Sequence, residues 1–190
     1  MKKSIALVMM AVLLVAASVM GTLAYLTSTD TVKNTFTVGK VAITLDEAKV
    51  TEYGKAVTPA SRVKENTYKL IPGHEYTKDP TVHFAAGSEA SWLFVKVENG
   101  IAAIEADTKI ADQITANDWT ALTGVDGVYY KQVDANNTAA AIDYPVFETF
   151  KLDGEADVSN YEKAAVKVTA YAIQADGFTS AAAAWTEASK

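Results

Sequence analysis

His74 and His83 are the only imidazoles in this chain of 190 residues, and no cysteine accompanies them. Zinc ligation or nucleophile activation near neutral pH would therefore have to run through one of these two rings. They lie nine positions apart, His74 beside Pro72-Gly73 and His83 on a short strand-like run. That spacing cannot form the two-histidine helical turn of a His-Glu-x-x-His peptidase. His74-Glu75 is at best half a site and reads as exposed turn residues. No Gly-x-Ser-x-Gly elbow offers a serine nucleophile. Asp134-Ala135-Asn136-Asn137-Thr138 opens like a calcium loop, but Ala139 and Pro145 occupy its sixth and twelfth positions, where a turn glycine and a bidentate carboxylate belong. It reads as a polar loop that also carries a formal glycosylation sequon, Asn136-Asn137-Thr138. Gly124 and Gly127 fit no phosphate-binding pattern. Trp92, Trp119, Tyr129, Tyr130 and Trp185 suit core and hairpin packing better than a ligand groove. The expectation is no catalytic residue, no metal ligand and no cofactor.

The first residues say where the chain goes. Lys2 and Lys3 precede an apolar run, Ile5 to Met20, and Gly21-Thr22-Leu23-Ala24 supplies small residues for cleavage. Residues 1–24 thus read as a secretory signal peptide, with Ala24 and Tyr25 flanking the cut. The alternative is an uncleaved anchor, since Ile5 to Leu26 just reaches across about 30 Å of hydrocarbon at roughly 1.5 Å per residue. Residues 25–190 suffice for one domain. The leader holds two lysines and no acid, so its removal takes the formal charge from −6 to −8. Such a balance argues against nucleic acid or anionic lipid as partners. An exported chain without cysteine must hold together by burial and hydrogen bonding, which suits export from a bacterium.

Period-two patterns dominate the rest. In Asn34 to Leu45, Phe36 and Val38 share one parity and Val41, Ile43 and Leu45 the other, which predicts a strand with a β-bulge at Gly39-Lys40. Ser91 to Glu98 alternates Leu93, Val95 and Val97 against Trp92, Phe94, Lys96 and Glu98, a strand with one fully apolar face. Val146, Phe150 and Leu152 repeat the pattern weakly. Ala165 to Gln174 is apolar on both parities and reads as a central strand. Pro72-Gly73 suits a type II turn, Asp79-Pro80 opens a strand over Thr81 to Phe84, and Asp126-Gly127 marks a hairpin between Trp119–Leu122 and Val128–Val133. Ile101, Ile104, Ile110 and Ile114 suggest an amphipathic helix over Ala102 to Ile114. Thr179 or Ser180 can cap a second helix, Ala181 to Ala188, with Trp185 anchoring it against a sheet. These elements predict a mainly β protein, an antiparallel β-sandwich with one or two short helices in its connections.

Gly21-Thr22-Leu23-Ala24-Tyr25-Leu26-Thr27, followed by Asn34-Thr35-Phe36-Thr37-Val38-Gly39-Lys40-Val41-Ala42-Ile43-Thr44-Leu45-Asp46-Glu47, resembles the start of the TasA/camelysin family of exported Gram-positive proteins. Ile71-Pro72-Gly73-His74-Glu75-Tyr76-Thr77-Lys78-Asp79-Pro80-Thr81-Val82, the strand Trp92 to Val97, and Ala170 to Phe178 with Ala184-Trp185 extend the resemblance over most of the chain. It implies a jelly-roll-like sandwich, processing by a SipW-type signal peptidase, and a secreted matrix or cell-surface subunit that polymerises with itself, with an accessory surface protein as a further partner. It also implies that the freed N-terminus, Tyr25 to about Thr35, completes a sheet of the next subunit, with Tyr25, Leu26, Val32 and Phe36 as assembly residues. Two other readings compete: a monomeric cell-surface binding module, and a camelysin-like metallopeptidase built on His74, His83 and nearby carboxylates. No sortase-type signal is seen after Trp185.

Overall fold

The structure is a computed structural model that describes residues 39–190. The leader, Ala24, Tyr25, Leu26, Val32 and Phe36 lie outside the described residues. Ten strands follow in chain order: β1 (Ile43–Ala48), β2 (Arg62–Val63), β3 (Glu75–Thr77), β4 (Thr81–Phe84), β5 (Ser91–Asn99), β6 (Thr120–Ala121), β7 (Val128–Val133), β8 (Ile142–Pro145), β9 (Thr149–Lys151) and β10 (Val166–Gln174). Two short helices, α1 (Ile110–Ala116) and α2 (Ala181–Ala188), join them.

Alternation in β5 explains the layering. Leu93, Val95 and Val97 enter one apolar cluster with Val82, Phe84, Val133, Phe147 and Phe150, while Trp92 and Phe94 enter a second with Leu122, Val128, Ala181 and Ala184. A buried Leu or Phe contributes about 1.5–3 kcal/mol, against roughly 0.5–1.5 net for one hydrogen bond. Covering both faces of β5 is therefore the stronger demand on the fold. It is met by a sandwich-like, mainly β arrangement of antiparallel sheets: β2-β1-β4-β8 in one, β10-β5-β7-β6 in the other, and a separate β3-β9 pair. The outer face of the β5 sheet is closed by α2. Ser180 Oγ accepts from Ala183 N at 3.3 Å, and Trp185 packs on Phe94 and Tyr171 with ring centroids 5.3 and 5.1 Å away.

Several expectations hold in detail. His74 N donates to Ile71 O across Pro72-Gly73, with Gly73 at φ +75°. β6 and β7 form the expected hairpin around Asp126-Gly127. Val41, Ile43 and Leu45 all pack against the core between the sheets, and Val146, Phe150 and Leu152 are buried in it.

Other expectations are corrected. β10 is not a central strand: among the described residues its one ladder partner is β5, over all nine residues from Val166↔Asn99 to Gln174↔Ser91. Its two apolar parities reflect two covered faces, since Val166, Val168, Ala170 and Ala172 pack on the inner core while Tyr171 and Ile173 lie under α2. No ladder or bulge occupies Gly39-Lys40. The backbone there is taken by the loop after β4, with Glu89 N donating to Lys40 O at 2.8 Å and Ala85 N to Ala42 O at 2.9 Å. Residues 34–38 of that expected strand lie outside the described residues. Ala102 to Ile114 is not one helix. A 3-10 turn covers Ala102–Ile104, Glu105 bridges to Leu152, and α1 begins at Ile110. The Glu105 carboxylate accepts from Asn99 Nδ2 and Ile110 N, at 3.0 and 3.1 Å, and so holds the break.

Gly127 tests the hairpin. It sits at φ +66°, and a Cβ there would meet Val97 O at 2.5 Å, whereas Gly124, at φ +82°, has nothing within 4 Å of its Cβ position. Gly124→Ala should cost only the left-handed backbone strain, about 1–2 kcal/mol. Gly127→Ala should cost more, about 2–4 kcal/mol, because Val97 N donates to Gly127 O and neither strand can give way. Urea unfolding of the two variants side by side reads the difference.

Candidate functional site

A cleft of about 1060 Å³ opens where β1, the segment after β2 and the start of β10 converge. Leu45, Tyr68, Ile101, Phe150, Val166 and Val168 give it an apolar lining. β10 runs its full length against β5 on one edge, so its second edge is without a strand among the described residues. β1 is guarded differently. On the side away from β4 only Glu47 and Ala48 are paired, with Val63 and Arg62, and the Leu45 carbonyl accepts from the Lys64 ammonium.

Charged residues share the lining, Lys64, Glu65, Lys69, Glu162, Lys163 and Lys167 among them, and one charged pair in it is largely buried. Glu47, 4% exposed, places Oε2 2.5 Å from Lys78 Nζ and accepts from Asn66 Nδ2 at Oε1 at 2.9 Å. Tyr68 stands beside it, donating to Thr77 O at 3.0 Å. Burial, then the negative charge of Glu47, pushes the Tyr68 phenol well above its ordinary range, so it stays a neutral donor.

The outer face of the β1 sheet carries a row of alternating charge, one residue from each strand: Arg62 on β2, Asp46 on β1, His83 on β4 and Asp143 on β8. Arg62 Nε donates to Asp46, and its Nη1 to Asp79 Oδ2 at 3.1 Å. His83 reaches Asp46 Oδ1 from Nε2 at 2.9 Å and Asp143 Oδ1 from Nδ1 at 2.6 Å. Ionised carboxylates only accept, so both contacts are met together only by the doubly protonated ring. Burial disfavours that charge, but the bonds to Asp46 and Asp143 outweigh it and raise the pKa of His83 above the usual histidine value. Burial likewise pushes Asp46 up, and the bonds from Arg62 and His83 more than reverse this.

His83 lies on β4, in the short strand expected there. Its side chain is 18% exposed, in the middle of a sheet. His74 is apart from it, packing its ring on Tyr76 at 4.5 Å with Nε2 3.0 Å from Tyr53 O. Among the described residues no group of three or more His, Asp or Glu side chains is arranged to hold a metal ion. Asn136 is fully buried, its Nδ2 donating to Phe84 O and Ala140 O, which removes it as a glycan acceptor. Trp92, Trp119 and Trp185 sit in the cores or against them, and Lys131 lies 5.6 Å from the ring centroids of both Trp119 and Tyr144. The expected assembly residues Tyr25, Leu26, Val32 and Phe36, and the Ala24 cleavage point, lie outside the described residues. What the sequence reading missed is the cleft and its polar spot. Glu47 and Lys78 meet across 31 positions, and the one available signal was the inward parity of an acid on an apolar strand face.

Compared with known proteins, the chain matches no family model, no curated protein and no solved structure.

His83 makes the stability of the β1 sheet depend on pH. Its folded pKa lies above the ordinary value of 6.5, so its contribution is complete below about pH 6.5 and is lost as pH rises through the folded value. Asp46, its pKa lowered, is ionised throughout that window, and Arg62 keeps its charge. His83→Gln should therefore unfold at lower urea than the parent at about pH 5.5, with the gap closing by about pH 9. A gap that stays constant across that range would show that the ring is neutral in the folded state.

Proposed function

We propose that this chain is an exported structural subunit of Gram-positive cell-surface or biofilm-matrix fibres. It polymerises head to tail, the segment from Tyr25 to about Thr35, freed by cleavage after Ala24, adding as a strand to the cleft of the next copy. One observation carries the reading: a nine-residue strand, β10, with a single ladder partner among the described residues, beginning beside a large cleft of mixed apolar and charged lining. An open strand edge supplies main-chain hydrogen bonds for affinity, and neighbouring pockets for alternate side chains supply specificity. Small-molecule sites run to about 300–1000 Å³. At about 1060 Å³ the cleft is at the top of that range, with room for side chains of an extended peptide. Addition that passes from copy to copy without closing gives a filament.

The resemblance to the TasA/camelysin family supports the same reading, with its jelly-roll-like sandwich and a SipW-type peptidase as the processing partner. On this reading cleavage is the switch, and the protein works by assembly without a catalytic step.

A chain beginning at Tyr25 should form filaments visible by electron microscopy and sediment as a polymer. One beginning at Phe36 should remain monomeric with an unchanged melting temperature. Equal assembly by both, or by neither, overturns the proposal.

A further inference from the structure

At the other end of both strand orders, a second hollow of about 410 Å³ is lined from β6, β7 and β8. It shares no lining residue with the cleft. Lys131 is the first unexpected residue there. The register Leu93↔Lys131 puts it on the inward parity of β7, with Tyr129 and Val133, which pack on the inner core. Its Nζ lies 5.6 Å from the ring centroids of both Trp119 and Tyr144, and no carboxylate pairs with it among the described residues. Burial, only partly offset by the charge of Asp118, lowers its pKa from the ordinary lysine value. An apolar side chain would suit this inward position better.

Asp118 is the second. It turns the chain out of α1 at φ +60°, with Asp118 N donating to Thr115 O and Trp119 N to Ile114 O. Glycine is the usual residue at such a helix exit, because a Cβ is strained in the left-handed region. Among the described residues Asp118 is the one non-glycine residue at positive φ. Two side chains that the fold would do better without thus face one hollow, and departures of this kind gather at functional positions.

The rest of the lining indicates what fills the space. Thr120, Tyr130, Gln132, Asp134 and Tyr144 complete it around Val133, and none of its seven polar side chains has a hydrogen-bond partner among the described residues. Water serves the exposed ones, whereas Tyr130, Lys131 and Tyr144 are half-buried. The backbone adds a donor and an acceptor. Val128 O accepts from Leu122 N at 2.8 Å on the β6 side, and period two turns the Gln132 N–H and C=O the same way, beyond Tyr130, where the ladder to β6 ends. Two carboxylates against one ammonium disfavour an anion, and the ammonium disfavours a metal ion. One open residue is too short an edge for an added peptide strand. Carboxylates only accept, the ammonium only donates, and the amide does both. Neighbouring hydroxyls, each a donor and an acceptor, answer all three, and the apolar C–H face of a sugar ring suits the rings of Tyr130 and Tyr144. The volume falls among small-molecule sites, which run to about 300–1000 Å³. We propose that this hollow binds a neutral saccharide, with Asp118, Gln132 and Asp134 engaging adjacent hydroxyls and Lys131 donating to a sugar oxygen. Nothing in this site depends on strand addition at the cleft.

Calorimetric titration of the processed chain with cellobiose, maltose and lactose should show saturable binding of at least one. The disaccharides of galacturonic acid and of glucosamine, which carry charge, should bind at least tenfold more weakly. Asp118→Gly and Lys131→Met should each lower the affinity about tenfold, the loss expected for one charge-assisted hydrogen bond. Both variants should unfold at the same or higher urea than the parent, since each relieves a strain or a buried charge. A purely structural role predicts the opposite pattern, lower urea midpoints with unchanged affinity. No saturation with any of the three neutral disaccharides, equal binding of the charged ones, or parental affinity in both variants overturns the proposal. Filament formation by the two variants should match the parent, so this site and the assembly reading fail separately.

Discussion

Everything else in this fold answers to the need to bury β5 on both faces. Five side chains of one strand, Trp92 to Val97 with Lys96 left aside, go into two separate apolar clusters. No single layer can cover them. The β1 sheet covers one face and α2 the other. β10, paired along the whole of β5, inherits cover on both of its faces without needing a strand on its far edge. Among the described residues, the result is a strand whose side chains are provided for and whose second backbone edge has no strand partner. An ordinary edge strand presents the same row of unpaired groups, but it is usually short, bulged or charged. β10 is nine residues long and mostly apolar.

Such an edge is a hazard to an unassembled copy, and the polar features around the cleft work against indiscriminate pairing. The Lys64 ammonium occupies a β1 carbonyl, and Glu47 points inward from the same strand. Lysine on an edge and inward-pointing charge are both recognised ways of discouraging strand addition. A buried ion pair adds little stability, because desolvation offsets most of the attraction. The Glu47–Lys78 pair therefore contributes little to holding the sandwich together.

How far this was legible in the sequence depends on sequence separation. Parity within β5 and the turn at Pro72-Gly73 are local facts, and they appear in the structure as expected. β10 was misread because apolar residues on both parities report covered faces and say nothing of paired edges. Val166 and Val168 look the same whether β10 has one neighbour or two. The helix expected over Ala102 to Ile114 failed on the six-residue step from Ile104 to Ile110, which a 3.6-residue period does not support. Its four isoleucines are nonetheless all buried. The charge row and the cleft were invisible for one reason. Asp46 meets His83 across 37 positions, and Glu47 meets Lys78 across 31. Only the strand order β2-β1-β4-β8 places the members of the row side by side.

Charge gives the assembly reading a further physical constraint. On the assembly reading, copies that carry −8 once residues 1–24 are removed repel one another, and self-association must be driven through surfaces that escape that repulsion. Residues 25–38 contain one acid, Asp30, and one base, Lys33, so the segment is neutral within an acidic protein. The cleft is likewise exempt. Lys64, Lys69, Lys78, Lys163 and Lys167 line it against Asp46, Glu47, Glu65 and Glu162. A neutral segment entering a site with a slight excess of base meets no long-range opposition, whereas face-to-face contact of the remaining acidic surfaces does. Screening at physiological ionic strength acts over about 8 Å. The repulsion is therefore confined to charges brought close at the joint, and the short-range terms in the cleft, backbone hydrogen bonds and apolar burial, must outweigh it for the joint to persist.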